Sequence, residues 1–239
     1  MVRDTAARSI AKTVSWRIIA TLTTSIIVWA LTHKMEFALL VGGLDTSLKL
    51  VFYFFHERLW DRLKFGKKPV KPAVLWFTGL SKSGKTAISR QVAQELTRRN
   101  VKVEYLNGET IRDLFPETGF TPEERDEHIK RVGYLASRLE KNGVFVVASF
   151  VSPSAKARDF VRRLCETFIE VHVATPLEEC EKRDQTQLYA RARRGELHHV
   201  VGIDEPYEVP GTPDLKFDLR TDSPEQASGQ LMQRLSPHF

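Results

Sequence analysis

Gly79-Leu80-Ser81-Lys82-Ser83-Gly84-Lys85-Thr86 decides the reading of this chain, because it fills the phosphate-binding pattern G-x-x-x-x-G-K-[ST] without a gap. Its surroundings agree. Residues 73–78, Ala-Val-Leu-Trp-Phe-Thr, form a short apolar run that reads as a buried strand. Ala87 to Arg98 reads as a helix with Ile88, Val92, Ala93 and Leu96 on one side. A strand, a glycine-bearing loop and a helix make a cradle in which backbone N–H groups converge on an anion and the helix N-terminus adds positive potential. All eight residues of the loop are thus expected to hold a nucleoside triphosphate. Lys85 would reach the β- and γ-phosphates, and the Thr86 hydroxyl would bind Mg²⁺.

Past this loop the chain keeps alternating. Strands are expected at Val101–Leu106, Val144–Phe150, Phe168–Ala174 and Leu215–Leu219. Helices are expected at Thr121–Lys141, Ala155–Leu164, from about Leu177, at Leu188–Arg194 and at Pro224–Leu235. Thr121 and Glu124 form a capping box, with Pro122 in the first helical position. The fold class that follows is α/β: a P-loop-bearing parallel sheet with helices on both faces and ligands at the carboxyl ends of the strands.

Charge divides the chain. Residues 1–72 carry 12 Lys/Arg against 5 Asp/Glu, whereas residues 73–239 carry 24 against 25. The net charge of +6 therefore sits in the N-terminal segment, and a nucleic-acid partner is not expected. Two cysteines, Cys165 and Cys180, without C-x-x-C spacing exclude a disulfide scaffold and a zinc site, and fit a reducing compartment.

The N-terminal segment holds two apolar stretches, Ile18–Leu31 and Phe37–Phe55. As helices they would span roughly 21 and 28 Å, at about 1.5 Å per residue. A transmembrane hairpin is the expectation, with Trp16, Trp29, Tyr53 and Trp60 near the interfaces. Asp45 and Lys49, four apart in the second stretch, can neutralise one another. A soluble hairpin packed on the second domain is the alternative. Cations flank the outer ends: Arg3, Arg8, Lys12 and Arg17 before, and Arg58, Arg62, Lys64, Lys67, Lys68 and Lys71 after. The positive-inside rule then puts both termini on the cytoplasmic side of a bacterial inner membrane, where ATP is. Asp4 and the second span argue against a signal peptide. The domains expected are a two-helix membrane domain at 1–65, a basic linker at 66–72 able to lie on anionic headgroups, and the kinase domain at 73–239.

Three clusters fall at the carboxyl ends of the strands. Asn107-Gly108-Glu109-Thr110-Ile111-Arg112 supplies a carboxylate, Glu109, for a Mg²⁺-bound water or for a proton from an attacking hydroxyl, and a cation, Arg112, for an anionic acceptor. Phe150-Val151-Ser152-Pro153 has no acid at its tip, so Glu109 is the natural carboxylate for the metal. Arg183, Arg191, Arg193 and Arg194 suit a closing flap over the transferring phosphoryl group, or else a solvated basic helix face.

With these motifs in view the sequence resembles adenylylsulfate kinase over nearly all of residues 72–221. The resemblance rests on Trp76-Phe-Thr-Gly-Leu-Ser-Lys-Ser-Gly-Lys-Thr86, Gly119-Phe120-Thr121, Arg125, Glu127, Phe150-Val-Ser-Pro153 and the run from Glu170 to Asp184. It continues through Leu188-Tyr189, Ala192-Arg193, Gly195-Glu196 and Gly202-Ile-Asp-Glu-Pro-Tyr-Glu-Val-Pro210. It implies a P-loop kinase-type fold, phosphoryl transfer from MgATP to the 3′-hydroxyl of adenosine 5′-phosphosulfate, and often a homodimer. By the resemblance Glu109 takes the place of the catalytic aspartate, and Arg112, Phe120, Arg125, His128, Val151 and Ser152 line the acceptor pocket. Phe120 would stack on adenine, Arg183 would begin the lid, and Ser152 falls where family members are described with a phosphoserine. Direct in-line transfer needs no such intermediate. Residues 8–65, with Ser9 to Thr21, Lys49 and His56-Glu57-Arg58-Leu59-Trp60, resemble an uncharacterised two-helix bacterial membrane family.

The departures from the kinase pattern are specific. Asp-Gly-Asp is here Asn107-Gly108-Glu109, an asparagine is His128, and an arginine is Lys130. Lys-Gly before Leu188 is Thr186-Gln187, Phe-Thr is Val200-Val201, and a P-loop glycine is Lys82. The triphosphate machinery is nearly intact, while the acceptor pocket has lost a ring and a cation. A kinase for another activated nucleotide, such as a nucleotide phosphoramidate used in surface-polymer synthesis, is therefore one alternative. A non-catalytic membrane ATP sensor is another, which Lys85, Thr86 and Glu109 argue against.

Overall fold

The computed structural model describes residues 2–4, 10–16, 18–20, 23, 27, 38–63, 67–115 and 118–238. They fall into two compact units, Met1–Val70 and Lys71–Phe239.

In the first unit, β1 (Val2–Asp4) pairs antiparallel with β2 (Lys67–Pro69). Residues 10–16 and 18–20 are helical, and α1 runs from Ala38 to Arg62. The two helical segments meet through side chains. Ser15 Oγ lies 2.9 Å from His56 Nε2, and Trp16 packs edge-on against Tyr53 with ring centroids 5.3 Å apart. Among the described residues no helix is long and apolar enough to cross a membrane. The described residues therefore do not confirm the expected transmembrane hairpin. Asp45 and Lys49 interrupt the apolar run of α1, and His56, Glu57, Arg58, Asp61 and Arg62 crowd its last two turns. Most of the Ile18–Leu31 stretch lies outside the described residues.

The second unit follows the expected alternation. Its elements are β3 (Val74–Thr78), α2 (Lys85–Arg98), β4 (Val103–Asn107), α3 (Gly108–Leu114), α4 (Pro122–Lys141) and β5 (Phe145–Ser149). There follow α5 (Ala155–Leu164), β6 (Phe168–Val173), α6 (Leu177–Lys182), α7 (Leu188–Arg193), β7 (Leu215–Phe217) and α8 (Pro224–Arg234). All five strands of the sheet are parallel, in the order β4-β5-β3-β6-β7. β3 and β5 are buried along their whole length, which explains their unbroken apolar sequence. Val74, Trp76, Val146, Ala148 and Phe150 join Ile129 and Val132 of α4 and Val161 of α5 in one core.

Two devices position the site. Register brings the strand ends level, with Ser149 beside both Phe77 and Asn107, and Thr78 beside His172. Caps then start the helices at that edge. Thr121 Oγ1 accepts from the Glu124 amide, and Glu124 returns a bond to the Thr121 amide, so the capping box read from sequence is present. The Asn107 side chain accepts from the Thr110 amide at 2.9 Å and so caps α3. An asparagine serves there as well as an aspartate.

Gly79 ends β3 at φ 147°, and a Cβ on it would lie 2.4 Å from the carbonyl oxygen of Val173. Neither the torsion nor the space admits a side chain. Gly79→Ala is therefore expected to lower unfolding free energy by about 2–4 kcal/mol, through backbone strain and overpacking together. Urea denaturation of the variant beside the parent checks this.

Candidate active site

The loop 79–86 turns its carbonyls into the protein. Tyr189 OH donates to Ser81 O at 2.8 Å and Thr175 Oγ1 to Ser83 O at 2.8 Å. Lys85 Nζ donates to Gly79 O at 2.9 Å and to Leu80 O at 2.6 Å. With these four carbonyls taken, and the Gly79 and Ser83 amides donated to Val151 O and Leu80 O, the remaining loop amides are left for an anion. Burial pushes the Lys85 ammonium down to about 8. Lys82 stands at φ 60° and Gln187 at φ 55°, both left-handed. These are two of the positions where the family pattern has glycine, and a side chain there costs about 1–2 kcal/mol in backbone strain.

A cavity of about 670 Å³ opens above the loop. Ser81, Lys82, Gly84, Lys85, Thr86 and Arg183 line one part of it. Glu109, Arg112, Phe120, Arg125, His128, Val151 and Ser152 are among those that line another part. Gly79, Leu80 and Ser83 form the base of the loop without lining the cavity. Arg183 Nη2 donates to Leu219 O at 2.9 Å, beside Gly84. Thr86 and Glu109 are exposed to the cavity, and among the described residues neither side-chain oxygen has a protein partner. Two free hard oxygens suit Mg²⁺, which takes one or two protein oxygens and fills its shell with phosphate and water.

Cations and rings make the far wall. The Arg112 guanidinium sits 4.2 Å over the Phe120 ring and donates to Thr118 O and Gly119 O at 3.1 and 3.2 Å. Arg125 lies 5.8 Å from the same ring and donates to Phe120 O at 2.8 Å and to His199 O. His128 is only 2% exposed, is held edge-on by Phe115 and Phe150, and has no hydrogen-bond partner on either ring nitrogen. Burial, reinforced by Arg112 and Arg131, holds its pKa down at about 4. It is neutral at pH 7 and offers one donor and one acceptor, as asparagine does.

Ser152 is buried at φ 39°, and its hydroxyl is already engaged. It accepts from the Trp76 indole at 3.1 Å and donates to Thr78 Oγ1 at 2.9 Å. A phosphoryl-carrying hydroxyl at Ser152 has no support in this geometry, because both its bonds run into the protein. The flap arginines divide. Arg183 reaches the cavity, whereas Arg193 pairs with Glu181 at 2.6 Å, and Arg191 and Arg194 pair with Glu196 at 3.3 and 2.6 Å. Those three form a solvated face. Sequence reasoning missed Thr175 and Tyr189, which hold the loop, and His198 and His199, which line the cavity. Only the paired histidines ahead of Val200 carried a local signal.

The parallel sheet, the occupied carbonyls and the poised lysine define a P-loop kinase. The chain belongs to the adenylylsulphate kinase family, whose model matches residues 71–218. An adenylyl-sulfate kinase of Halothermothrix orenii is 41% identical over 166 residues, covering 69% of this chain and 90% of that protein. One from Picosynechococcus is 42% identical over 163 residues, covering 68% and 92%. The Mycobacterium tuberculosis APS kinase, solved in complex with AMPPNP and APS, superposes with a TM-score of 0.66 at 34% identity, covering 70% of this chain and 99% of that one. Residues 10–61 match a family described as predicted membrane protein (DUF2061).

Two titrations follow. Phosphates favour the charged form of Lys85, so triphosphate affinity should be flat below pH 8 and fall above it, with proton uptake on binding near pH 8–9. Calorimetry in buffers of different ionisation enthalpy measures that uptake, and Lys85→Met should abolish it. His128, charging near 6.5 when unfolded and near 4 when folded, contributes stability above pH 6.5 that is lost as pH falls toward 4. His128→Asn should move the acid-unfolding midpoint to lower pH, as read by circular dichroism.

Proposed function

We propose that this chain transfers the γ-phosphoryl group of ATP to the 3′-hydroxyl of adenosine 5′-phosphosulfate, giving 3′-phosphoadenosine 5′-phosphosulfate and ADP. The observation that carries the reading is a single cavity lined by both the Lys85 loop and the Glu109–Arg112–Phe120–Arg125 wall, in a chain of this family.

The roles follow from the chemistry of each group. Loop amides and Lys85 hold the β- and γ-phosphates. Thr86 and Glu109 would hold Mg²⁺, which supplies charge neutralisation to the triphosphate when bound. Glu109 takes the proton of the acceptor 3′-hydroxyl as it attacks in line. Arg112 and Arg125 hold the phosphosulfate by paired, charge-assisted bonds, and Phe120 stacks on adenine. His128 backs the same wall as a neutral group, its ring nitrogens buried behind Phe115 and Phe150. Arg183 faces the transferring group from the side of the loop. Val151 and Ser152 shape the wall rather than react.

Membrane attachment belongs to the same reading. The match of residues 10–61 to a membrane-protein family supports a tether that holds the kinase at the cytoplasmic face of a bacterial inner membrane, with both termini inside. A homodimer is proposed for the kinase unit.

The test is a coupled assay for ADP release with adenylylsulfate and a panel of other activated nucleotides. Adenylylsulfate is expected to be the preferred acceptor. Glu109→Gln should cut kcat by about 10²–10⁴. ADP release with another nucleotide but none with adenylylsulfate would overturn the acceptor assignment.

A further inference from the structure

We propose that Arg158 is the positioning residue of the acceptor wall: a buried guanidinium, outside the cavity, whose fork fixes the main chain of residues 152–153 and so sets acceptor affinity rather than ATP affinity. The proposal rests on the reading of residues 151–153 as acceptor wall.

Arg158 lies in the first turns of α5, and its side chain is 3% exposed. It makes an unusual set of contacts for a buried cation. Nη1 donates to Ser152 O at 2.7 Å and to Pro153 O at 3.0 Å, while Nη2 donates to Glu208 O at 2.6 Å. Three carbonyls from two separate loops thus converge on one planar fork. A lysine, with a single nitrogen on a flexible stem, cannot reproduce that fork. The charge is balanced behind. Arg158 Nε is 2.9 Å from Glu170 Oε1, a charge contact too bent to count as a hydrogen bond. Glu170 is in turn oriented by Arg162 at 2.8 Å, and its amide donates to Asp214 Oδ2 at 2.9 Å.

The clamped segment is one that would not hold its shape alone. Ser152 sits at φ 39°, a left-handed torsion that a serine keeps only when its surroundings impose it. The rest of the wall is tied to the same frame. Glu208 N donates to Pro153 O, and the Glu208 carboxylate accepts from the Ala155 amide at 2.6 Å. Thr78 Oγ1, one residue before the P-loop, donates to Val151 O at 2.8 Å and lies 2.9 Å from Tyr207 OH. Removing the fork therefore leaves Ser152 O with only a long bond from Thr78 Oγ1 (3.4 Å), Pro153 O with only the Glu208 amide, and Glu208 O without the guanidinium, while the contacts of the P-loop through Thr175, Tyr189 and Lys85 stay in place.

The experiment is Arg158→Lys in the full chain, assayed against both substrates. The KM for adenylylsulfate should rise at least about tenfold while the KM for ATP stays within about twofold. Arg162→Gln removes a half-exposed partner of Glu170 without opening the core, and should shift the acceptor KM the same way by about two- to fivefold. A purely structural role would lower the thermal midpoint and leave both KM values alone. An acceptor KM unmoved in both variants, or parallel rises in both KM values, overturns the proposal. Hydrogen exchange without substrate separates this from the fate of the acceptor assignment. In Arg158→Lys the Glu208 amide should exchange faster while β5 amides keep their protection. Uniform protection at Glu208, or loss across the whole sheet, overturns the clamp whatever nucleotide the enzyme accepts.

Discussion

A phosphate cradle must show its amides and hide its carbonyls, and that single demand organises the second unit. Eight residues cannot satisfy it alone, because each amide turned toward the anion leaves a carbonyl to be satisfied elsewhere. Here the carbonyls go to Thr175 at the end of β6, to Tyr189 on α7, and to Lys85 itself. Segments far along the chain are therefore part of the loop. The strand order, with β6 directly beside β3, puts Thr175 within reach, and the close approach of Gly79 to Val173 is the packing consequence. Lys82 and Gln187 keep left-handed torsions without glycine because this frame over-determines them.

The electrostatics of the site are local rather than global. Residues 73–239 carry one more acid than base, yet the cavity gathers Lys85, Arg112, Arg125 and Arg183 around Glu109. Clustered cations in a walled cleft focus potential on an anionic ligand, whatever the net charge of the surface. The three flap arginines spent on Glu181 and Glu196 show the opposite arrangement, where exposed pairs cancel at the surface. His128 adds no charge. Its burial makes it a polar but neutral part of the wall, so the change from asparagine alters shape more than it alters charge.

Much of this was legible in the sequence because the signals were local. Apolar runs gave β3, β5 and β6, since strands buried on both faces need no alternation. Ala155–Leu164 is the observed span of α5, and the Thr121–Glu124 capping box fixed the start of α4. The loop and its lysine were read from spacing alone. What stayed hidden depends on contacts distant in sequence. Tyr189 bonds a residue 108 positions away, Thr175 one 92 away, and Arg158 reaches Glu208 across 50. No spacing rule reports such a bond. Arg191, Arg193 and Arg194 differ: their partners Glu196 and Glu181 are only 2 to 12 residues away, yet spacing did not say whether these side chains face a phosphate or the solvent. The partners of the Ser152 hydroxyl, Trp76 and Thr78, are likewise more than seventy positions away and left no local trace.

The first unit poses the inverse problem. Its sequence signal is strong in hydropathy and weak in geometry, because apolar length alone does not distinguish a helix that spans from one that packs. The polar contacts are more telling. His56 Nε2 accepts the Trp60 indole N–H at 3.0 Å and lies 2.9 Å from Ser15 Oγ, so one imidazole nitrogen joins a partner on its own helix to one on the other segment. Trp16 closes on Tyr53 and His56 around it. Meanwhile Val51, Phe52, Phe54, Phe55 and Leu59 stand exposed along α1. Among the described residues the two helical segments are thus joined by polar and aromatic contacts, while these large apolar side chains of α1 stay exposed. An apolar side chain that stays exposed does nothing to hold the pair together, so the pairing falls to hydrogen bonds and aromatic edges.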